Sequence, residues 1–243
     1  MPNFTSEPIL TPSQIFSSSA TQQFPLGTKA TTKDGRFFRY AQAGAADLVV
    51  GNVLQAAAQI ANHQQLTPSA AAVGATQIIA TLGATLATVN QYAGGLAIID
   101  TTPGLGYAYP ISGHAAVASA GVITLNLFSD SPVQVALTTS SRVSLQANPY
   151  AGVIQSPVTT LTGAVVGVAV YPITATQYGW IQTRGQSAVL IAGTPGVGLA
   201  VVVPATAAGA VVIDGAASAT QVIGAMMVTG VDGKVQAVML DLD

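Results

Sequence analysis

The 243-residue chain contains no cysteine, so disulfide staples and thiolate chemistry are excluded. Charge is almost as scarce. Seven basic and nine acidic side chains make up 7% of the residues, against roughly 25% in ordinary soluble domains. A folded body of 24.3 kDa exposes on the order of 10,000 Å², so its surface has about a quarter of the usual charge density and is poorly protected against association. The net charge of −2 gives no general attraction to nucleic acid, whose binding rests on phosphate neutralisation. Long uninterrupted apolar runs are missing too. Residues 48–99, 143–183 and 185–213 carry no charge, yet Asn148-Pro149, Tyr171-Pro172, Thr194-Pro195 and Pro204 cut them, whereas a membrane helix needs about 20 apolar residues in a row. Outward aromatic girdles, the mark of an outer-membrane barrel, are not visible. The start, MPNFTSEPIL, has neither a basic nor an apolar signal region, so no secretory leader is expected there.

What is present is strand grammar. Half of the residues are hydrophobic and only 6% aromatic, the excess being Ala, Val, Gly and Thr, which suit packed strands. Residues 177–204 hold the only tryptophan and the clearest pattern. Tyr178, Trp180 and Gln182 alternate with Gly179, Ile181 and Thr183 as in a half-buried strand, and Arg184-Gly185-Gln186 reads as the following turn. Gly193 to Gly198 supplies glycine and proline for a tight connection. Asp214-Gly215 and Asp232-Gly233 then punctuate apolar runs up to residue 240, in the manner of hairpins. Upstream, runs at 76–82, 84–89, 96–99, 106–111, 122–128, 133–138 and 142–146 recur between Gly, Pro, Asn and Ser with the rhythm of sandwiches and barrels.

Three regions follow: an extended arm at 1–27, a β-rich domain at 28–157, and a C-terminal meander or barrel at 158–243 that packs with the preceding region as one body or stands apart. In the arm, Phe4, Ile9, Leu10, Ile15, Phe16 and Phe24 are scattered anchors without helical or strand period, and Pro2, Pro8, Pro12 and Pro25 keep the chain extended. This composition suits either a segment ordered on a neighbouring subunit or a frayed terminus. On the docking-arm reading, a chain starting at Thr28 would keep its melting temperature. Residues 29–33 and 36–40, joined by Asp34-Gly35, form a candidate hairpin carrying Lys29, Lys33, Arg36 and Arg39. That cluster fits an acidic protein partner or an edge strand guarded by charge, the latter preferred over nucleic acid. Apolar residues at three and four spacing over 47–66 predict the one short helix, interrupted by Gly51. The fold class expected is all-β, a sandwich- or barrel-like meander with that helix and the N-terminal arm.

No stretch carries convincing chemistry, and no cofactor is expected. His63 and His114 lack the spacing of a metal site. Ser112 or Ser119 with His114 and Asp100 would make a triad on paper, but there is no Gly-x-Ser-x-Gly elbow, and hydrogen-bonded or solvated histidines are the simpler reading. Gly193 to Gly198 lacks the Gly-Lys-Ser/Thr ending of a phosphate loop. Asp232-Gly233-Lys234 has too few oxygen ligands for calcium, and the acids lie mainly in turns and termini, which speaks against a glycosidase pair.

The order of segments DGRFFRY (34–40), DLVVGNVLQ (47–55), QYAGG (91–95), GLGYAY (104–109), NPY (148–150) and QYGWIQTRG (177–185) resembles structural proteins of tailed-bacteriophage heads, of the decoration or head-stabilising kind, over most of residues 34–240. The resemblance implies a non-enzymatic protein on the outer surface of an icosahedral shell that bridges major capsid protein subunits, often as a homotrimer. The candidate partner-binding residues are Phe4, Ile9, Phe16, Phe24, Arg36, Arg39 and Trp180. A receptor- or carbohydrate-binding β module is the alternative, and an unrecognised hydrolase a weaker one. Low charge density leads to an expected homo-oligomer burying more than about 1,600 Å².

Overall fold

A computed structural model describes residues 7–215 and 221–243. The chain is all-β: among the described residues the only α-helix is the single turn Pro12–Ile15. No helix among them is long and apolar enough to cross a membrane. Two compact units form, Met1–Ala58 together with Pro149–Asp243, and Gln59–Asn148 between them in sequence. The chain therefore divides elsewhere than at the expected 157/158 boundary.

The first segment of the larger unit contributes β1 (Ser18–Ser19), β2 (Lys29–Thr31), β3 (Phe37–Gln42) and β4 (Val53–Gln55). The predicted hairpin is β2–β3, with Ala30 opposite Phe38. The helix predicted over 47–66 does not form. Gly51 takes a φ of +83° in a turn, which no helix accommodates, and Val53, Leu54 and Gln55 are buried on both faces of a strand. A run buried on both faces loses its alternation and imitates helical spacing.

The Gln59–Asn148 unit holds β5 (Gln77–Thr81), β6 (Leu96–Thr101), β7 (Ala108–Gly113), β8 (Val122–Leu127) and β9 (Arg142–Gln146), in the sheet order β5-β8-β7-β6-β9. Leu66 bridges Val143 of β9 while Pro68 bridges Ala80 of β5, so one short segment joins both edges and closes the sheet on itself. Closure removes the open edges that invite aggregation. Ile78, Ala80, Ile99, Tyr109, Ile111, Ile123, Leu125, Val143 and Leu145 point inward and form the core. The expected strands at 84–89 and 133–138 are reduced to single bridges, Ala87 with Val117 and Leu137 with Ala71.

The second segment of the larger unit adds β10 (Ile154–Gln155), β11 (Val165–Ala169), β12 (Tyr178–Leu190), β13 (Ala200–Val202), β14 (Val212–Ile213), β15 (Val222–Met226) and β16 (Val235–Asp241). Thirteen residues long, β12 organises this unit. Its first half pairs with β3 and β11, its second with β16. The predicted turn at 184–186 is instead the point where the strand changes partners: the register against β3 shifts between Gln182 and Arg184, and Gly185 sits at a φ of +88°. A bulge keeps the strand running while re-aiming it. Beyond it, β16, β15, β13 and β14 pair in turn, and Val211 hydrogen-bonds back to Leu190. Val189, Val201, Val211, Ile223, Val238 and Leu240 fill the space enclosed. On the other half, Ala43 bridges Val153 beside β10, so β3, β12, β11, β4 and β10 also form a closed circuit, around Ala41, Leu48, Leu54, Val166 and Ile181.

A local device recurs in both units. Leu48 and Ile173 exchange backbone hydrogen bonds, as do Ala71 with Leu137 and Ala87 with Val117. Three residues after five of these six positions the chain takes a positive φ, at Gly51, Gly74, Asn90, Ala120 and Thr176. Each pair of arches satisfies part of its own backbone across the connection, which lets short strands be joined without leaving those groups unpaired.

Candidate interface surfaces

The candidate partner-binding residues separate into different environments. Phe4 lies outside the described residues. Ile9 and Phe16 are exposed, at 62% and 50%. Trp180 is not: at 3% exposure it is sandwiched by its own chain, 5.1 Å from Tyr40 and 5.2 Å from Phe24 between ring centroids. Leu10, Ile15 and Phe38 complete this cluster. The described part of the N-terminal region is therefore not an extended arm waiting for a neighbour. Leu10 N–H donates to the Thr31 carbonyl and Thr31 N–H to the Pro8 carbonyl, and Gln23 N–H donates to the Tyr40 hydroxyl. Irregular spacing misled the sequence reading because this segment covers an aromatic face rather than completing a sheet.

Lys29, Arg36 and Arg39 of the basic cluster are engaged internally, Lys29 with Glu7 at 3.7 Å, while Lys33 is exposed. Arg36 donates from Nε to Asp34 at 2.9 Å. Arg39 forks onto Asp243 at 2.6 and 3.0 Å and also donates to the Gly27 carbonyl; Thr183 donates its hydroxyl to Asp243. Burial opposes ionisation of Asp243, but the bonds and charge of Arg39, the Thr183 hydroxyl and the charge of Lys29 outweigh it and hold the carboxyl below its ordinary value of 3.8. A lowered folded pKa stabilises above the unfolded value, and the gain disappears as pH falls through the folded one. Asp243→Asn is thus expected to cost about 1–2 kcal/mol at pH 7, a difference that closes below about pH 4; urea titrations of both proteins across pH 3–7 check it.

Both histidines are buried. His63 donates from Nε2 to the Thr85 carbonyl, which leaves Nδ1 to accept the Tyr92 hydroxyl in a short bond. His114 accepts the Tyr92 backbone N–H at Nε2 and donates from Nδ1 to the Ala115 carbonyl. Burial pushes the Tyr92 phenol up to about 12. The network ties loops into the barrel of the Gln59–Asn148 unit. Tyr92→Phe leaves His63 Nδ1 buried without its donor and is expected to cost about 1–3 kcal/mol, measurable as a lower thermal midpoint. The paper triad is not assembled: Ser112 donates to the Asn126 and Leu127 carbonyls, and Asp100 accepts the Ser144 hydroxyl. Among the described residues no group of three His, Cys, Asp or Glu could hold a metal ion.

Two surfaces remain. The Gln59–Asn148 unit contains only Asp100, Asp130 and Arg142 as charged residues, while Val73, Ile79, Leu86, Val89, Leu96, Leu105, Tyr107, Val122 and Phe128 are exposed. Alternation places Ile79, Leu96 and Val122 on the outer face of its sheet. On the larger unit a groove of about 1000 Å³ runs along β12 and β16, with Phe16, Arg36, Val50, Gln182, Ala188 and Met239 in its lining. Sequence reasoning did not find it, since its residues come from six separate stretches; the only signal was the break in alternation at Arg184-Gly185. No protein-family model, curated protein or solved structure matches the chain.

Proposed function

We propose that the protein is a structural component of a bacteriophage head, binding the outer surface of the icosahedral shell and bridging major capsid protein subunits. The observation that carries this reading is the surface of the Gln59–Asn148 unit, where nine large apolar side chains are exposed against three charged residues. A surface of this kind persists in solution only at the risk of association, and it becomes an advantage when neighbours cover it. The particular assembly comes from the resemblance of the segments between residues 34 and 185 to head-stabilising proteins. The engagement of Arg36 and Arg39 with Asp34 and Asp243 accords with an adhesion role through apolar and backbone contacts rather than through charge.

The experiment is reconstitution. Purified protein added to shells that lack it should bind saturably, resist 1 M salt because little of the contact is ionic, and raise the temperature at which the shells break. Binding that salt abolishes, or none at all, would overturn the reading. Off the shell, light scattering is expected to show a homo-oligomer, a trimer in the simplest arrangement, and not a 24.3 kDa monomer.

A further inference from the structure

The groove on the larger unit lies along an unpaired stretch of β12. Ile191 N–H bonds to the Lys234 carbonyl and Leu242 N–H to the Thr183 carbonyl, so the odd-numbered residues of the second half of β12 face β16. The even-numbered ones face the opposite edge. There Arg184 is opposite Phe37 at the end of β3, and Leu190 donates to the Gly51 carbonyl. Between these two points Gln186 and Ala188 are exposed. The Gln186 carbonyl accepts Gln182 Nε2, whereas Gln186 N–H and both backbone groups of Ala188 have no partner among the described residues. Gln182, also in the lining, leaves its buried Oε1 without a hydrogen-bond partner.

We propose that this groove accepts an extended, uncharged polypeptide segment of a partner protein, added as a short strand on the β12 edge. An unpaired edge supplies main-chain affinity, and alternate side chains of the incoming segment supply selectivity. The chemistry of the occupant follows from the lining. Val50, Val170 and Ala188 keep the lining beside the free edge apolar, Val235, Ala237 and Met239 continue that character across β16, and the charges at the rim neutralise one another, Arg36 with Asp34 and Arg184 with Asp241. A charged segment would meet no unpaired counter-ion. Phe37 opposite Arg184 and Gly51 bonded to Leu190 bound the free edge at its two ends, which leaves length for a short, slender strand and none for the long edge of another folded sheet, including that of a second copy.

The test is selection of random ten-residue peptides displayed on particles against the full-length protein, followed by hydrogen exchange of the complexes. The expected result is enrichment of uncharged, β-branched sequences that protect the Gln186 and Ala188 amides. Ala188→Pro removes a donor that no strand of the fold uses and is expected to weaken these peptides at least tenfold; Val50→Trp, which narrows the groove beside the free edge without altering the β12 backbone, should do the same if the proline variant fails to fold. Absence of enrichment, enrichment of charged sequences, or equal binding to both variants would overturn the proposal. Protection of the same amides that grows with protein concentration and needs no peptide would assign the groove to a second copy and overturn it equally.

Discussion

A chain beginning at Thr28 is expected to lose at least about 5 kcal/mol of stability, enough to consume much of the 5–15 kcal/mol that a domain possesses. Leu10 and Ile15 are 4% and 1% exposed, and deleting a buried aliphatic side chain costs about 2–5 kcal/mol each. Phe24 and Leu26, which pack on the same cluster, would go with them. The truncation also uncovers Phe38, Tyr40 and Trp180 and removes the Gln23 donor from the Tyr40 hydroxyl. Urea unfolding followed by tryptophan emission reads both effects, an earlier midpoint and a native spectrum shifted to the red. An unchanged midpoint would restore residues 1–27 to the status of a dispensable arm.

Trp180→Ala should cost about 3–5 kcal/mol. The ring lies between Phe24, in the segment that joins β1 to β2, and Tyr40 of β3, which pairs with β12, and the cavity left by an indole cannot collapse while β3 and β12 remain in register. The native protein should emit at short wavelength, as expected of an indole shielded from water. Because Phe24 touches the same ring, Phe24→Ala combined with Trp180→Ala should cost less than the two single changes added together. Full additivity would mean that the two residues do not share a cluster.

Where one face of a strand is buried and the other wet, the sequence was readable. Residues 77–81, 96–99 and 122–127 alternate in burial because they line a closed barrel, and the hairpin around Asp34-Gly35 announces itself by its turn residues. Val53 to Gln55 was misread since burial on both faces erases the alternation. At Gly185 the local chemistry is the same for a turn and for a bulge, and only the arrival of β16 as a new partner decides between them. The pairs of arches escaped notice for a similar reason: Ala120 and Thr176 adopt positive φ without being Gly or Asn, held there by hydrogen bonds to distant segments such as Thr176 N–H to the Gly44 carbonyl.

The surfaces were partly legible. Scarcity of charge over the whole chain can be counted from the sequence, and it pointed to a surface prone to association before any strand was placed; that it is extreme in residues 59–148 emerged only with the division into units. Which aromatic side chains stay outside could not be counted, because Trp180 and Phe16 differ in exposure through what the N-terminal segment covers. The groove required knowing that β3 stops at Phe37's partner and that Gly51 takes over at Leu190, a gap defined by tertiary pairing alone.

The most direct measurement is a cryo-EM reconstruction of the particle that carries this protein. The account predicts density for both compact units on the outer shell surface, repeated in hundreds of symmetry-related copies, with the apolar face of residues 59–148 covered by neighbouring subunits. Density confined to a tail or a single vertex, or a shell bare of the protein, would contradict it.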